Sequence, residues 1–184
     1  VHPDYKKAHF AAEIDLPVFS LFDRIVSVSS SNADSVRDSF PSLRDRVVYI
    51  PNVIDIEHIC QLSRQQSVQL PPSSFTILTV CRLDNTSKAL DRAIRIAKRL
   101  NDDGLVFHWF VAGEGPSRKE LESLIFENHV DNFTLLGDQR NPYAYIVQAD
   151  LFVLQSRYEG RPVAVDEAII LNIPVLITEY ASAR

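Results

Sequence analysis

The sequence has 184 residues, of which 46% are hydrophobic and 23% are charged. This composition excludes a wholly disordered chain, and the length predicts one domain or one domain with part of a second. A net charge of −5 argues against a protein that binds nucleic acid by neutralising its phosphates. Two cysteines are too few for a disulfide framework, so we expect reduced thiols and a cytoplasmic protein.

Short strands and helices alternate with polar segments in the first 74 residues. The pattern predicts a helix over 5–22, which Pro17 would kink or end. It then predicts a strand at 24–29, a helix at 32–40 and a strand at 46–50. Residues 63–74 are polar and contain adjacent prolines, which predicts a loop.

Apolar runs and amphipathic segments alternate regularly from Phe75 onward. The predicted strands are 75–81, 106–112, 133–136, 150–154 and 174–178. The predicted helices are 88–100, 116–128, 142–148 and 162–171. Because the strands are almost wholly apolar, we predict an α/β fold: a Rossmann-like parallel sheet with helices on both faces. We expect neither a membrane span nor a signal peptide, and the missing methionine predicts a piece of a longer protein.

Polar residues follow each predicted strand, at the edge where open α/β sheets bind their ligands. Arg82 and Lys88 bracket one such loop and could hold a pyrophosphate, although two solvated surface cations would look the same. Gly113 and Gly115 precede a predicted helix, as in a turn that cradles a phosphate. A plain tight turn between strand and helix is the alternative. The edge as a whole suits a phosphorylated ligand.

Glu159 and Glu167 lie eight positions apart around the start of the predicted helix 162–171. That helix is apolar on nearly every side, so a carboxylate within it needs a partner. The pair would suit sugar hydroxyls beside a phosphate, or it could be a helix-entry acid and a buried ion pair. The histidines and cysteines show no metal-ligand spacing, so we expect no metal ion and no other cofactor.

These residues resemble the family 4 retaining glycosyltransferases, which have the GT-B fold and an E-x7-E signature. The signature matches at 156–168, followed by 172–175. Further matches, in the order of the family, lie at 26–29, 49–55, 80–83 with Lys88, 111–116, 136–137 and 149–156. Because these matches cover nearly the whole chain in order, the resemblance is specific.

The resemblance implies a site for a nucleotide-sugar donor. Arg82 and Lys88 would neutralise the diphosphate, and Glu159 would meet the donor sugar's hydroxyls as the third catalytic residue. Glu167 would bind the ribose, and Gly113 would let the backbone approach the donor. The remaining residues expected at the donor site are Gly115, Gly137, Gly160, Arg161 and Pro162, with the base near the segment after Gly137.

The implied reaction transfers a hexose-type sugar from a UDP- or GDP-linked donor, with retention and without a metal ion. The acceptor would be a glycan or a lipid-linked molecule in polysaccharide or glycoconjugate biosynthesis. The resemblance divides the chain into a remnant of the acceptor-side domain (1–50), a crossover (51–74) and the donor domain (75–184). With most of the acceptor side absent, we expect this chain alone to be inactive. The full-length protein could associate peripherally with the inner face of the membrane.

Several positions depart from the family pattern. Cys81, Ala89 and Asn172 stand where the family commonly has glycine, and the spacing from Arg82 to Lys88 is one residue longer than usual. Two other functions remain as alternatives. One is a nucleotide-sugar epimerase or phosphorylase of the same architecture. Such an enzyme would need different donor-site residues, so the E-x7-E signature disfavours it. The other is a non-catalytic nucleotide-binding α/β module.

Overall fold

A computed structural model of the chain describes residues 12–65 and 69–179. These residues form two compact units. The first contains 12–54, 158–162 and Glu179; the second contains 55–65, 69–157 and 163–178. The start of the helix predicted over 5–22 lies outside the described residues. The predicted domain boundaries stay a prediction.

The first unit is a small parallel pair of strands with helices. Its elements are α1 (Ala12–Ser20), β1 (Ile25–Ser27), α2 (Ser30–Ser39), a 3₁₀ helix (Pro41–Arg46) and β2 (Val47–Tyr49). Pro17 lies inside α1, which continues to Ser20, so it does not end the helix as it could have done. The Ser29 hydroxyl caps α2 by accepting from the backbone N–H of Asn32 at 3.2 Å.

The second unit contains a parallel sheet, as predicted. Its strands are β3 (Thr76–Val80), β4 (His108–Ala112), β5 (Phe133–Gly137), β6 (Leu151–Leu154) and β7 (Val175–Ile177), in the order β5-β4-β3-β6-β7. Its helices are α3 (Ile56–Ser63), α4 (Asn85–Lys88), α5 (Leu90–Asp102), α6 (Arg118–Glu127), α7 (Tyr143–Ile146) and α8 (Val163–Ile170). The chain winds outward from β3 in one direction and from β6 in the other. The topological switch point is therefore at the carboxyl ends of these two neighbouring strands, where ligands of such sheets bind.

Alternate side chains of the strands enter two hydrophobic cores, one on each face of the sheet. Ile77 packs with Trp109 and with residues of α5 and α6, whereas the next residue, Leu78, packs with Phe110 and with α7 and α8. The indole N–H of Trp109 donates to the Thr79 hydroxyl at 3.0 Å, so these two buried polar groups are paired. Burial on both faces explains why the strands are continuously apolar.

Two helices differ from the sequence prediction. Helix α3 lies in the segment predicted as a crossover, where the Asp55 side chain caps it by accepting from the N–H of His58 at 2.9 Å. The helix predicted over 88–100 is divided, because Ala89 has a left-handed backbone with φ of +53° and separates α4 from α5. None of the described helices is long and apolar enough to cross a membrane.

Candidate functional site

The loop after β3 runs beside the turn after β4 at the carboxyl edge of the sheet. The backbone N–H of Leu83 donates to the Glu114 carbonyl at 2.9 Å, and the Leu83 carbonyl accepts from the N–H of Ser117 at 2.9 Å. These bonds continue the pairing of β3 and β4 beyond the strand ends. They hold the exposed Arg82 next to the Gly115 turn, so the structure brings two predicted site segments together.

The glycines of this turn are required by close backbone contacts. A Cβ atom on Gly113, whose φ is +140°, would lie 1.9 Å from the Cys81 carbonyl oxygen. A Cβ on Gly115 would lie 2.5 Å from the Leu83 carbonyl oxygen. The N–H of Gly113 also donates to the Gly137 carbonyl at 2.8 Å, which ties in the end of β5. The three predicted glycines thus lie on one edge, where Gly113 and Gly115 let the loop after β3 approach the turn after β4 closely.

The short helix α4 carries Lys88 between β3 and α5. Asp84 caps it by accepting from the N–H of Thr86 at 3.1 Å and from the Ser87 hydroxyl at 3.0 Å. Burial alone would raise the pKa of Asp84, but these hydrogen bonds outweigh it and lower that pKa. Since Ala89 turns left-handed directly afterwards, the half-buried Lys88 is the last residue of α4.

Arg157, just after β6, reaches across the switch point to α4 and α5. Its guanidinium donates to the Asn85 carbonyl at 2.5 Å and to both carboxylate oxygens of Asp91 at 2.8 and 3.0 Å. Its backbone N–H donates to the Ser87 carbonyl at 2.7 Å. Burial alone would raise the pKa of Asp91, but the hydrogen bond and charge of Arg157, with the charge of Arg95, lower it. An ionised pair with two hydrogen bonds therefore joins the two sides of the switch point.

Glu167 has the partner that its position in an apolar helix requires. The Tyr143 hydroxyl, from α7, donates to Glu167 Oε1 at 2.9 Å. Burial of Tyr143, together with this bond and the charge of the carboxylate, raises the pKa of Tyr143 to about 12. The tyrosine thereby orients one oxygen of the glutamate predicted to bind ribose.

The loop that follows β5 is braced by its own side chains. Gln139 donates from Nε2 to the Leu136 carbonyl at 2.8 Å, and its Oε1 accepts from the Tyr145 hydroxyl at 2.7 Å. Both the nitrogen and the oxygen of the Gln139 side-chain amide are thus hydrogen-bonded. The segment after Gly137, expected near the base, is therefore tied by Gln139 to the end of β5 and to α7.

The predicted site residues fall in both units. Those of the second unit, all discussed above, are Arg82, Lys88, Gly113, Gly115, Gly137 and Glu167. Those of the first unit are Glu159, Gly160, Arg161 and Pro162. Within the first unit, a Cβ on Gly160 would lie 3.2 Å from Asn32 Nδ2, and Arg161 Nη1 lies 3.5 Å from the Tyr49 hydroxyl.

Sequence analysis did not single out Tyr143, Arg157 or Asp91. Arg157 lies in the segment after a buried strand, at the predicted ligand edge, which is a signal that could have identified it. Tyr143 and Asp91 lie in helices, where the sequence pattern alone gives no such signal. In the described part of the chain, no group of three or more histidine, cysteine, aspartate or glutamate side chains is placed to hold a metal ion.

Comparison with known proteins identifies related sequences. Residues 62–184 match the profile of the family described as glycosyl transferases group 1. An uncharacterized glycosyltransferase of Methanocaldococcus jannaschii is 31% identical over 162 residues, which are 85% of this chain and 40% of that protein. The N-acetylgalactosamine-N,N'-diacetylbacillosaminyl-diphospho-undecaprenol 4-alpha-N-acetylgalactosaminyltransferase of Campylobacter jejuni is 28% identical over 183 residues. That alignment spans 97% of this chain and 48% of the relative, so the chain covers less than half the length of either protein.

Solved structures have a similar fold. The crystal structure of Anabaena HepE in complex with UDP and glucose superposes with a TM-score of 0.77. The alignment covers 100% of this chain and 52% of HepE at 16% sequence identity. At this identity the likeness establishes the fold and leaves the ligand to be argued from the site.

Proposed function

The chain belongs to the glycosyl transferases group 1 family, and from that premise we propose that it is the nucleotide-sugar-binding part of a glycosyltransferase. The observation that carries the proposal is the carboxyl edge of the sheet at its switch point. There the loop of Arg82 is bonded to the turn of Gly113 and Gly115, and α4 presents Lys88. Cations beside a glycine turn that precedes a helix suit a diphosphate.

We further propose that the enzyme is a retaining transferase of family 4, with Glu159 and Glu167 as the E-x7-E pair. The spacing of the pair supports this assignment, as does the oriented carboxylate of Glu167. In this proposal Glu159 meets the donor sugar and Glu167 the ribose. Gly160, Arg161 and Pro162 complete the signature loop.

The proposed residues would act mainly by stabilising charge. When the glycosidic bond to the donor phosphate breaks, negative charge develops on the departing nucleoside diphosphate. Fixed positive charges from Arg82 and Lys88 would stabilise that charge more than the ground state, which lowers the barrier. The Glu167 side chain would accept hydrogen bonds from ribose hydroxyls and so hold the leaving group in place.

The names of the relatives suggest the substrates to test. HepE was crystallised with UDP and glucose, which supports UDP as the first nucleotide to try, with GDP as the alternative. The Campylobacter enzyme is named for a diphospho-undecaprenol acceptor, which supports a lipid-linked or glycan acceptor in polysaccharide biosynthesis. That relatives are named glycosyltransferases favours transfer over the epimerase, phosphorylase and non-catalytic alternatives.

Nucleotide-dependent stability tests this proposal directly. The free energy of unfolding of this chain is measured with UDP, GDP, ADP and their sugar conjugates. A ligand at 100 times its dissociation constant should add about 2.7 kcal/mol. Lys88→Ala should abolish most of that gain, because it removes a proposed phosphate contact.

Lys98→Ala is the matched control, since Lys98 lies on the exposed face of α5 and pairs with Asp102. It should leave the gain unchanged. If no nucleotide stabilises the chain, or if both lysine variants respond alike, the proposed site is wrong.

A further inference from the structure

The segment that carries Lys88 depends on its neighbours for its conformation. Helix α4 has only four residues, which is too short to be stable alone, and none of them is fully buried. Its backbone carbonyls instead accept hydrogen bonds from residues after β6. Gln155 Nε2 donates to the Lys88 carbonyl at 3.1 Å, and Gln155 is only 3% exposed. The position of Lys88 is therefore set from the opposite side of the switch point.

Arg157 contributes most of these contacts. Its guanidinium binds the carbonyl of Asn85 at the start of α4 and the carboxylate of Asp91 in the first turn of α5. The Asn85 side chain accepts from the N–H of Asp91 at 2.9 Å, so Arg157, Asn85 and Asp91 are all linked to one another by hydrogen bonds. Lys88 lies between these two anchored residues, so fixing both limits where its ammonium group can go.

The geometry requires an arginine at position 157. A guanidinium has a planar fork that donates in several fixed directions, whereas an ammonium group is a compact point charge. Both terminal nitrogens of Arg157 are occupied by Asn85 and Asp91. The side chains of Arg157 and Asp91 are 27% and 14% exposed, so water competes weakly for this pair.

We propose that Arg157 is a positioning residue for the diphosphate, which acts by holding the α4 segment so that Lys88 is preorganised. This inference rests on the proposed function and deepens it. Arg157 itself does not contact the ligand. It affects the affinity for the diphosphate only by fixing the position of Lys88.

A double-mutant cycle tests the proposal. Dissociation constants for UDP are measured for the unmodified chain, Arg157→Lys, Lys88→Ala and the double variant, with urea unfolding of each. Arg157→Lys keeps the charge and should weaken UDP binding about tenfold, which is about 1.4 kcal/mol. In the Lys88→Ala background the same change should weaken binding less than twofold. The loss of stability caused by Arg157→Lys should be the same in both backgrounds, because the folding role does not need Lys88.

Arg95→Ala is the matched control. Arg95 also pairs with Asp91, but its side chain is 64% exposed and it belongs to α5 itself. This variant should change UDP affinity less than twofold. Unchanged UDP affinity in Arg157→Lys would overturn the inference alone, and so would a tenfold loss that persists without Lys88. If the unmodified chain binds neither UDP nor GDP, the proposed function fails and the inference fails with it.

Discussion

Tyr143 supplies the hydrogen bond that a carboxylate in an apolar helix requires, because its hydroxyl donates to Glu167. Sequence alone indicates that Glu167 needs a partner, because the residues around it in α8 are almost all apolar. It does not indicate which partner, because Tyr143 lies 24 positions earlier and in another helix. Only the packing of α7 and α8 into the same core brings the two side chains together.

Tyr143→Phe should destabilise the chain in a pH-dependent way. At pH 8 the loss should be about 1.5 kcal/mol, the lower end of the range for a hydrogen bond to a charged group. In the unfolded chain the tyrosine ionises near its ordinary pKa of 10.0, whereas in the folded chain the pKa is about 12. Because that pKa is raised on folding, the stabilisation is complete below pH 10 and is lost as the pH rises from 10 to 12. Urea unfolding at about pH 8, 10 and 11 should show that the free energies of unfolding of the unmodified chain and of Tyr143→Phe converge.

The control for this prediction is the same change in a Glu167→Gln background. There the hydroxyl meets a neutral amide, so the convergence at alkaline pH should be smaller but should remain, because burial still raises the pKa of Tyr143. A difference in stability between the unmodified chain and Tyr143→Phe that stays constant across this pH range would show that neither burial nor the carboxylate raises the pKa of this tyrosine.

The strands are the elements that sequence predicts best. All five strands predicted for the second unit are present and begin and end within two residues of their predicted limits. The reason is that each strand is buried on both faces, as Ile77 and Leu78 show, and this leaves a continuous apolar run in the sequence. Helix α3 was missed because it is short and lies in the segment 51–74, which the family resemblance assigns to a crossover.

Single backbone angles explain where the helix prediction differed from the structure. Ala89 and Asn172 have φ of +53° and +57°. Asparagine tolerates this conformation better than other residues with a Cβ, but alanine does not. Hydrophobic periodicity carries no information on φ, so the break at Ala89 between α4 and α5 could not be predicted from it.

The close approach of β3 and β4 at their carboxyl ends depends on Gly113. Gly113→Ala should cost about 3 kcal/mol or more, because its Cβ would meet the Cys81 carbonyl oxygen at 1.9 Å and the backbone cannot stay where it is. Gly104→Ala is the matched control, since Gly104 has a φ of +78° but nothing within 4 Å of a Cβ. It should cost only about 1 kcal/mol for the unfavourable angle.

The two glycine variants are compared by urea unfolding at neutral pH. The difference between their free energies of unfolding measures the contact between the strand ends together with the extra cost of a φ of +140° over one of +78°. Equal losses would mean that the ends of β3 and β4 can separate at little cost, and that the edge which holds Arg82 is less rigid than the structure implies.

At the scale of the whole chain, the sequence predicts a parallel sheet but not the order of its strands. Alternating strands and helices are compatible with several orders, because each crossover can pass over either face. The order β5-β4-β3-β6-β7 places the ends of β3 and β6 side by side. It thereby joins Asn85 to Arg157, which are 72 positions apart, and creates a contact that local pattern could not reveal.

The charge of the whole molecule leads to a final prediction about ligand binding. The chain carries a net charge of −5, so on average it repels a nucleoside diphosphate. In the proposed site, binding would then depend on the local field of Arg82 and Lys88, which is strong only at short range. Raising the ionic strength from about 0.1 M to 1 M shortens the screening length from roughly 10 to 3 Å. We expect the dissociation constant of UDP to rise at least threefold, and that of uridine, which lacks phosphates, to change little.

The same two cations determine what a chelator should do. If they neutralise the diphosphate, EDTA should leave the dissociation constant of UDP unchanged, and added Mg²⁺ should weaken binding slightly by competing for the phosphates. Isothermal titration with UDP and uridine, each with EDTA and with Mg²⁺, separates the contributions of phosphate and base. A UDP affinity that is lost in EDTA and restored by Mg²⁺ would assign the phosphate charge to a metal ion and contradict the roles of Arg82 and Lys88. Affinity that is insensitive to both salt and EDTA would instead mean that base and ribose contacts dominate, with the diphosphate left in solvent.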